Sequence, residues 1–172
     1  MATEIRRVEG SEAANLSRFA KTVFATAFGH SFRRDDLAKH LEDNLSIAAI
    51  RLALDRDVVL GAAAGKRLIG FIQFGALPQP SVGPGRAREI RRLYVTTEFQ
   101  RRGIGSLLMH AALSHPALAE AETVVLDVWE RNEAAQAFYR KFGFRVIGSK
   151  PFKFASGRRG DDDLIMARDA FS

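Results

Sequence analysis

EIRRLYVTTEFQRRGIGSLLMHAA, residues 89–112, reads as one strand, one tight basic loop and one helix. Ile90, Leu93, Tyr94 and Val95 are the β-branched, aromatic and apolar residues that strands favour. Ile104, Leu107, Leu108 and Ala111 then recur at i, i+3, i+4 and i+7, which predicts the core face of an amphipathic helix. Between them lies Gln100-Arg101-Arg102-Gly103-Ile104-Gly105-Ser106. A helix start built from glycines leaves backbone N–H groups bare, where the helix dipole also favours negative charge. Such a start predicts a phosphate site, to which the arginines add cationic charge.

The remaining arginines are not spread evenly. Arg86, Arg88, Arg91, Arg92, Arg101 and Arg102 crowd this stretch, in a chain of net charge +6 and pI near 10.2. Basicity alone would suggest nucleic acid, but no nucleic-acid module is recognisable, and a phosphorylated small molecule accounts for several of the arginines. No nucleic acid is therefore expected as a partner. The chain has 172 residues, 47% hydrophobic and 27% charged, the composition of a soluble globular protein. One domain, 1–172, is the expectation, burying roughly 70% of its unfolded surface. No apolar run reaches the ~18 residues of a membrane span, so no membrane partner is expected. The opening MATEIRRVEG lacks the apolar core of a signal peptide, which predicts a cytoplasmic location. Zero cysteines excludes disulfides, thiolate metal sites and cysteine nucleophiles.

In chain order, 3–8 predicts a short strand. A helix opens at Ser11, with Leu16, Phe19, Val23, Phe24 and Ala27 on its apolar face and Gly29 as its stop. Residues 31–44 predict a second helix with Leu37 and Leu41 on one side, and 47–54 a third. Residues 58–64 and 68–77 predict a β-hairpin about Gly65-Lys66, and 78–85 a loop rich in proline and glycine. After the central strand and helix, 123–129 (TVVLDVW) predicts a strand covered on both faces. Residues 132–142 predict a helix ended by Gly143, with Ala134, Ala137, Phe138 and Phe142 at core spacing. Strands at 144–147 and 163–167 complete the chain. Alternating strands and helices behind a hairpin predict a mixed α/β sheet covered by helices.

Three glycine motifs compete for residues 100–106. A P-loop needs a Gly-Lys-Ser/Thr ending, and no lysine lies there; a dinucleotide fingerprint needs glycine where Leu108 stands. The remaining pattern, Gln-x-x-Gly-x-Gly between a strand and a helix, resembles the acetyl-CoA pyrophosphate loop of the GNAT superfamily of N-acetyltransferases. A second block, VVLDVWERNEAAQAFYRKFGF, is similar to that family's downstream strand, asparagine, aromatic-Tyr helix and Gly-Phe. Asn132 is also a good helix cap without any cofactor, and Gly143 an ordinary helix terminator. A tyrosine at 139, one position off the core stripe, is what plain packing does not require. The run LDVWERN…FYRKFGFRVIGSKPF…GDDDLIM further resembles the bacterial spermine/spermidine acetyltransferase subgroup.

The resemblance implies the GNAT acyl-CoA N-acyltransferase fold, a mostly antiparallel central sheet whose fourth and fifth strands form a splayed parallel pair, flanked by helices. It implies acetyl-CoA as co-substrate, no metal, and direct transfer of acetyl to a primary amine in a ternary complex. Gln100, Arg101, Arg102, Gly103, Ile104, Gly105 and Ser106 would cradle the pyrophosphate. The strand Leu93-Tyr94-Val95, Asn132 and Phe138 would line the rest of the cofactor. Tyr139 matches the family tyrosine near the thioester sulfur. Two carboxylates compete for the base. Glu89 stands eleven positions before Gln100, where histone-type members carry their catalytic glutamate; Asp127 stands five before Asn132, where ribosomal-protein acetyltransferases carry theirs. The polyamine subgroup commonly has glycine at that second place, so the resemblances disagree there.

For the acceptor, the resemblance implies a pocket drawing on Phe28, His30, Phe32, Asp35 and Asp36 and on Phe152, Phe154, Asp161, Asp162 and Asp163. Acid and aromatic groups suit a polyamine or other small amine, whereas the basic chain as a whole repels one. A homodimer is allowed. Two other readings stand beside this one: a non-catalytic acetyl-CoA-binding sensor or interaction module, and acetylation of a protein N-terminus or lysine.

Overall fold

The computed structural model describes residues 3–77 and 86–169; the expected loop at 78–85 lies outside the described residues. The elements in chain order are β1 (Thr3–Arg7), α1 (Ala13–Phe28), α2 (Arg34–Leu45), α3 (Ile47–Arg56), β2 (Val58–Ala64), β3 (Arg67–Ala76), β4 (Ala87–Val95), α4 (Ile104–Ser114), α5 (Pro116–Ala119), β5 (Thr123–Trp129), α6 (Glu133–Lys141), β6 (Arg145–Lys153) and β7 (Arg159–Asp169). The strands follow the hydrogen-bonded order β1-β2-β3-β4-β5-β7-β6. β4 and β5 pair in parallel, while β1–β2, β2–β3, β5–β7 and β6–β7 are antiparallel. The expected mixed α/β sheet with its parallel fourth and fifth strands is present.

Two compact units make up the chain, Met1–Phe74 with Arg92–Leu113, and Gly75–Arg91 with Ser114–Ser172. In the first, Leu16, Ala20 and Phe24 of α1 join Leu45, Ile50, Leu54, Val59 and Phe71 in one apolar cluster. Phe71 faces that cluster, whereas the neighbouring Gly70 faces Leu108 of α4, as alternation along a strand requires. The β2–β3 turn is made at Gly65, whose φ of 60° is readily adopted by glycine. In the second unit, Val124, Val125, Leu126 and Val128 of β5 are buried, and Asp127 alone in that run is exposed.

Several expectations need correction. The buried face of α1 is Ala13, Leu16, Ser17, Ala20 and Phe24, and Ala27 is exposed. Ser17 is admitted because its hydroxyl donates to the Leu45 carbonyl at 2.6 Å. Gly29 does end α1, but in a right-handed conformation (φ −55°) that passes into a 3-10 turn over Gly29–Ser31. That turn delays α2 to Arg34. On α4 the buried residues are Ile104, Leu108, Met109 and Ala112, and Leu107 is 47% exposed. Leu107 and Met109 flank Leu108 on opposite sides, so periodicity alone does not choose between them. On α6, Ala134 and Ala137 are exposed and Gln136 is the buried residue. Its side-chain amide donates to the carbonyls of Glu130 at 2.8 Å and Trp129 at 3.4 Å, so hydrogen bonding outweighs hydropathy there. Finally, β6 and β7 are longer than predicted, because the backbone ladder continues through charged residues that a pattern of hydrophobicity excludes.

Candidate active site

The basic loop belongs to the first unit. A 3-10 turn over Thr97–Phe99 leads into extended Gln100, and the chain then turns through two left-handed residues, Arg101 (φ 58°) and Gly103 (φ 82°). The first helical hydrogen bond of α4 runs from Leu107 N–H to Gly103 C=O at 2.9 Å, so the N–H groups of Ile104, Gly105 and Ser106 precede the helical ladder. A Cβ built on Gly103 meets nothing within 4 Å, and Arg101 and Arg102 are exposed. Open space, bare amides and two cations together fit a diphosphate-bearing group. The Gln100 side chain donates to the Val95 carbonyl at 3.1 Å, folding the loop back on the end of β4. Phe99 carries Arg102 5.6 Å and Arg67 5.8 Å from its ring centroid, and Arg67 is ion-paired with Glu98.

The parallel register between β4 and β5 covers Ala87–Ile90 against Thr123–Leu126. Leu93, Tyr94 and Val95 lie beyond that paired stretch. Tyr94 is half-buried among rings, 5.2 Å from Phe71 and 6.5 Å from Phe24. Burial pushes its phenol pKa up, partly countered by the charge of Arg92 and a hydrogen bond with it. Sequence reasoning missed the network beside this ring. Gln73, 1% exposed, donates its amide to Asp57 Oδ2 at 2.6 Å and accepts from Arg92 Nη1. Arg92 Nη2 donates to the Asn44 carbonyl at 3.3 Å, and Arg56 Nε lies 3.5 Å from Asp57 Oδ1. The signal was a glutamine inside the apolar run LIGFIQFGA, where a buried amide demands partners.

The two candidate bases belong to the second unit. Glu89 is in register with Val125, and Asp127 stands two residues further along β5, so both carboxylates occupy one face of the sheet. Each has a basic partner: Glu89 is ion-paired with Arg91, and Asp127 with Lys150 of β6. The same face carries Asp163, in register with Trp129 on one side and Lys150 on the other. Burial raises the Asp163 pKa above the usual carboxylate range, and Asp127 adds to the rise while Lys150 opposes it. Trp129 Nε1 donates to Asp161 Oδ2 at 3.2 Å, and Arg131 to Asp161 Oδ1 at 3.0 Å. Further along the hairpin, Phe152 and Phe154 meet edge to face at 5.1 Å, with the Arg158 guanidinium 3.7 Å above Phe154.

Asn132 caps α6, its Oδ1 accepting from Ala135 N–H at 3.1 Å. That bond uses the carbonyl end of the amide and leaves the Nδ2 donors unused by the cap. Tyr139 is half-buried one turn before Gly143 (φ 84°), its ring 5.4 Å from Phe138 and 6.1 Å from Phe144. In the first unit Phe28 and Phe32, expected near the acceptor, lie 5.0 and 5.6 Å from Phe24. His40 stacks on Phe24 at 4.5 Å; burial, then the charge of Arg92, lowers its pKa, against a smaller rise from Asp43.

Known proteins resemble this chain in sequence and in fold. The sequence matches the Acetyltransferase (GNAT) family over residues 21–144. An uncharacterized N-acetyltransferase of Mycobacterium tuberculosis is 29% identical over 161 residues, covering 92% of this chain and 98% of that protein. A spermine/spermidine N(1)-acetyltransferase of Bacillus subtilis is 28% identical over 87 residues, 49% of this chain and 57% of that protein. PaiA N-acetyltransferase from Thermoplasma acidophilum, solved in complex with coenzyme A, shares the fold. It gives a TM-score of 0.80 at 22% identity, covering 98% of this chain and 99% of that one. The matched span takes in the basic loop, β5 and the tyrosine-bearing helix, and the chain belongs to the GNAT acetyltransferase family.

Proposed function

We propose that the protein transfers the acetyl group of acetyl-CoA directly to a primary amine. The observation that carries this reading is the loop with two left-handed residues ahead of α4, open at Gly103 and lined by bare amides and arginines. In this reading residues 100–106 hold the pyrophosphate, and the strand end Leu93-Tyr94-Val95 and the Asn132 Nδ2 donors hold the pantetheine arm. The ammonium loses a proton, its nitrogen attacks the thioester carbonyl, the C–N bond forms and the C–S bond breaks. Backbone N–H groups of the strand end polarise that carbonyl. The departing thiolate takes its proton from Tyr139, a part that a positioned phenol can play as a general acid. Glu89 is the favoured base, acting through water, with Asp127 the rival.

The acceptor is a small primary amine. Polyamines belong in the screen, because a relative is named for them and the face shared by β5 and β7 offers Trp129, Asp161 and Asp163 to a cation. A cytoplasmic location follows from the supply of acetyl-CoA. The test is thermal unfolding with acetyl-CoA, followed by acceptor-dependent release of CoA. Acetyl-CoA at a thousand times its Kd should add about 4 kcal/mol of stability; no shift refutes the reading. A shift without CoA release from any amine, peptide N-terminus or lysine peptide leaves the non-catalytic binding module.

A further inference from the structure

Arg92 is a cation held in place by neutral groups. Its guanidinium donates to the Gln73 side-chain carbonyl and to the Asn44 backbone carbonyl, and its charge acts on the Tyr94 phenol. The orientation of Gln73 is itself dictated, because Asp57 takes the amide N–H end at 2.6 Å and so turns the carbonyl end to Arg92. Among the described residues no carboxylate lies within ion-pair distance of Arg92; Asp57, with its side chain 0% exposed, has Arg56 at 3.5 Å. These carbonyls use two of the five guanidinium N–H groups, so donors remain for a ligand.

Its surroundings are half apolar. Arg92 is half-buried beside His40 and Tyr94, which belong to the ring cluster of Phe24, Phe32 and Phe71. Its charge opposes protonation of His40. A half-desolvated cation without a counter-ion is costly, and an arriving anion offsets that cost. The planar guanidinium fork matches carboxylate and phosphate oxygens in two-point contact. Arg92 also immediately precedes the strand end read as the cofactor's partner, and its side chain reaches the Asn44 carbonyl at the end of α2.

We infer that Arg92 binds an oxyanion, carboxylate or phosphate, carried by the acceptor amine, so that the acceptor is a zwitterionic small molecule and not a polycation. The inference rests on the acetyltransferase reading and narrows its acceptor. The opposing observation is the acidic face at Asp161 and Asp163, and it is offset in part: Arg131 is ion-paired with Asp161, Lys150 with Asp127 and Arg159 with Asp162.

The experiment compares kcat/KM for matched amines that differ only in the oxyanion. The pairs are phenylalanine with phenethylamine, and phosphoethanolamine with ethanolamine, with spermidine as the polycation. The full-length protein should favour the oxyanion-bearing member of at least one pair by about tenfold or more, the scale of a charge-assisted hydrogen bond. The carboxylate and phosphate pairs separate the two sources. Arg92→Gln should abolish that preference, mainly through KM, and Arg92→Lys should restore part of it. Preference for the uncharged members or spermidine overturns the inference, as does an equal loss on both members in Arg92→Gln. If Arg92→Gln fails to fold, the ratio in the unaltered protein already decides. Absence of CoA release with every amine overturns the transferase reading itself, and the inference with it.

Discussion

Tyr139 and the two carboxylates are the residues on which the proposed chemistry turns. Removing the phenol while keeping the ring, Tyr139→Phe, should lower kcat by about a hundredfold or more and barely change acetyl-CoA affinity. Titration calorimetry beside steady-state kinetics checks it, and an unchanged kcat removes Tyr139 from the mechanism. For the base, Glu89→Gln should erase the acidic limb of the kcat/KM pH profile, while Asp127→Asn should leave it; the reverse pattern transfers the role to Asp127. Asp127 and Lys150 have 32% and 52% exposed side chains, and a pair so wetted contributes little to stability. Glu89 and Arg91 are more enclosed, at 20% and 13%, so Glu89→Gln also removes the charge opposite Arg91 and needs Tm measured alongside. At this scale the sequence was legible where a residue answers to its own backbone. Asn132 as a cap and Gly143 as a left-handed terminator are local demands. The Asp57–Gln73–Arg92 network was not legible, because its members lie 16 and 19 positions apart and meet only through tertiary packing.

The elements were predictable in type and order, and less so in the faces they bury. Apolar spacing placed α1, α4 and α6, but Ser17 and Gln136 displaced apolar residues from the core by answering carbonyls that hydropathy does not count. Between β3 and β4 the decisive residue is Gly70. A Cβ there would lie 2.9 Å from the Tyr94 carbonyl oxygen, 3.2 Å from Leu108 and 3.3 Å from Val95. Side chains can swing aside, but the carbonyl is part of the strand and cannot yield without moving it. Gly70→Ala should therefore cost about 1–3 kcal/mol. It should also weaken acetyl-CoA binding, because the strip that gives way is Tyr94-Val95. Denaturant unfolding and calorimetry read the two effects; unchanged affinity would detach that strand end from the cofactor.

For the molecule as a whole, acid is the expected weakness. His40 has a folded pKa below its ordinary value of 6.5, mainly through burial, so the unfolded chain takes up the proton more readily. The contribution of His40 is then fully present above about pH 6.5 and is lost as pH falls through the folded value. Asp163 works in the other sense. Its raised pKa favours folding below the usual carboxylate range and withdraws that support as pH rises through the folded value. Tm measured from pH 8 down to 5 should fall, and His40→Phe should flatten that fall; an unchanged slope would place the acid sensitivity elsewhere. The tyrosine-bearing helix has a different dependence. With Gln136 as the one buried residue of α6, that helix is fastened by hydrogen bonds to Trp129 and Glu130 more than by apolar burial. Hydrophobic attachment weakens on cooling and hydrogen bonding does not share that temperature law. The tyrosine of this enzyme therefore rides on a segment whose local opening is set by two carbonyls, and its grip on the sheet should outlast, in the cold, that of the phenylalanine-packed helix α1.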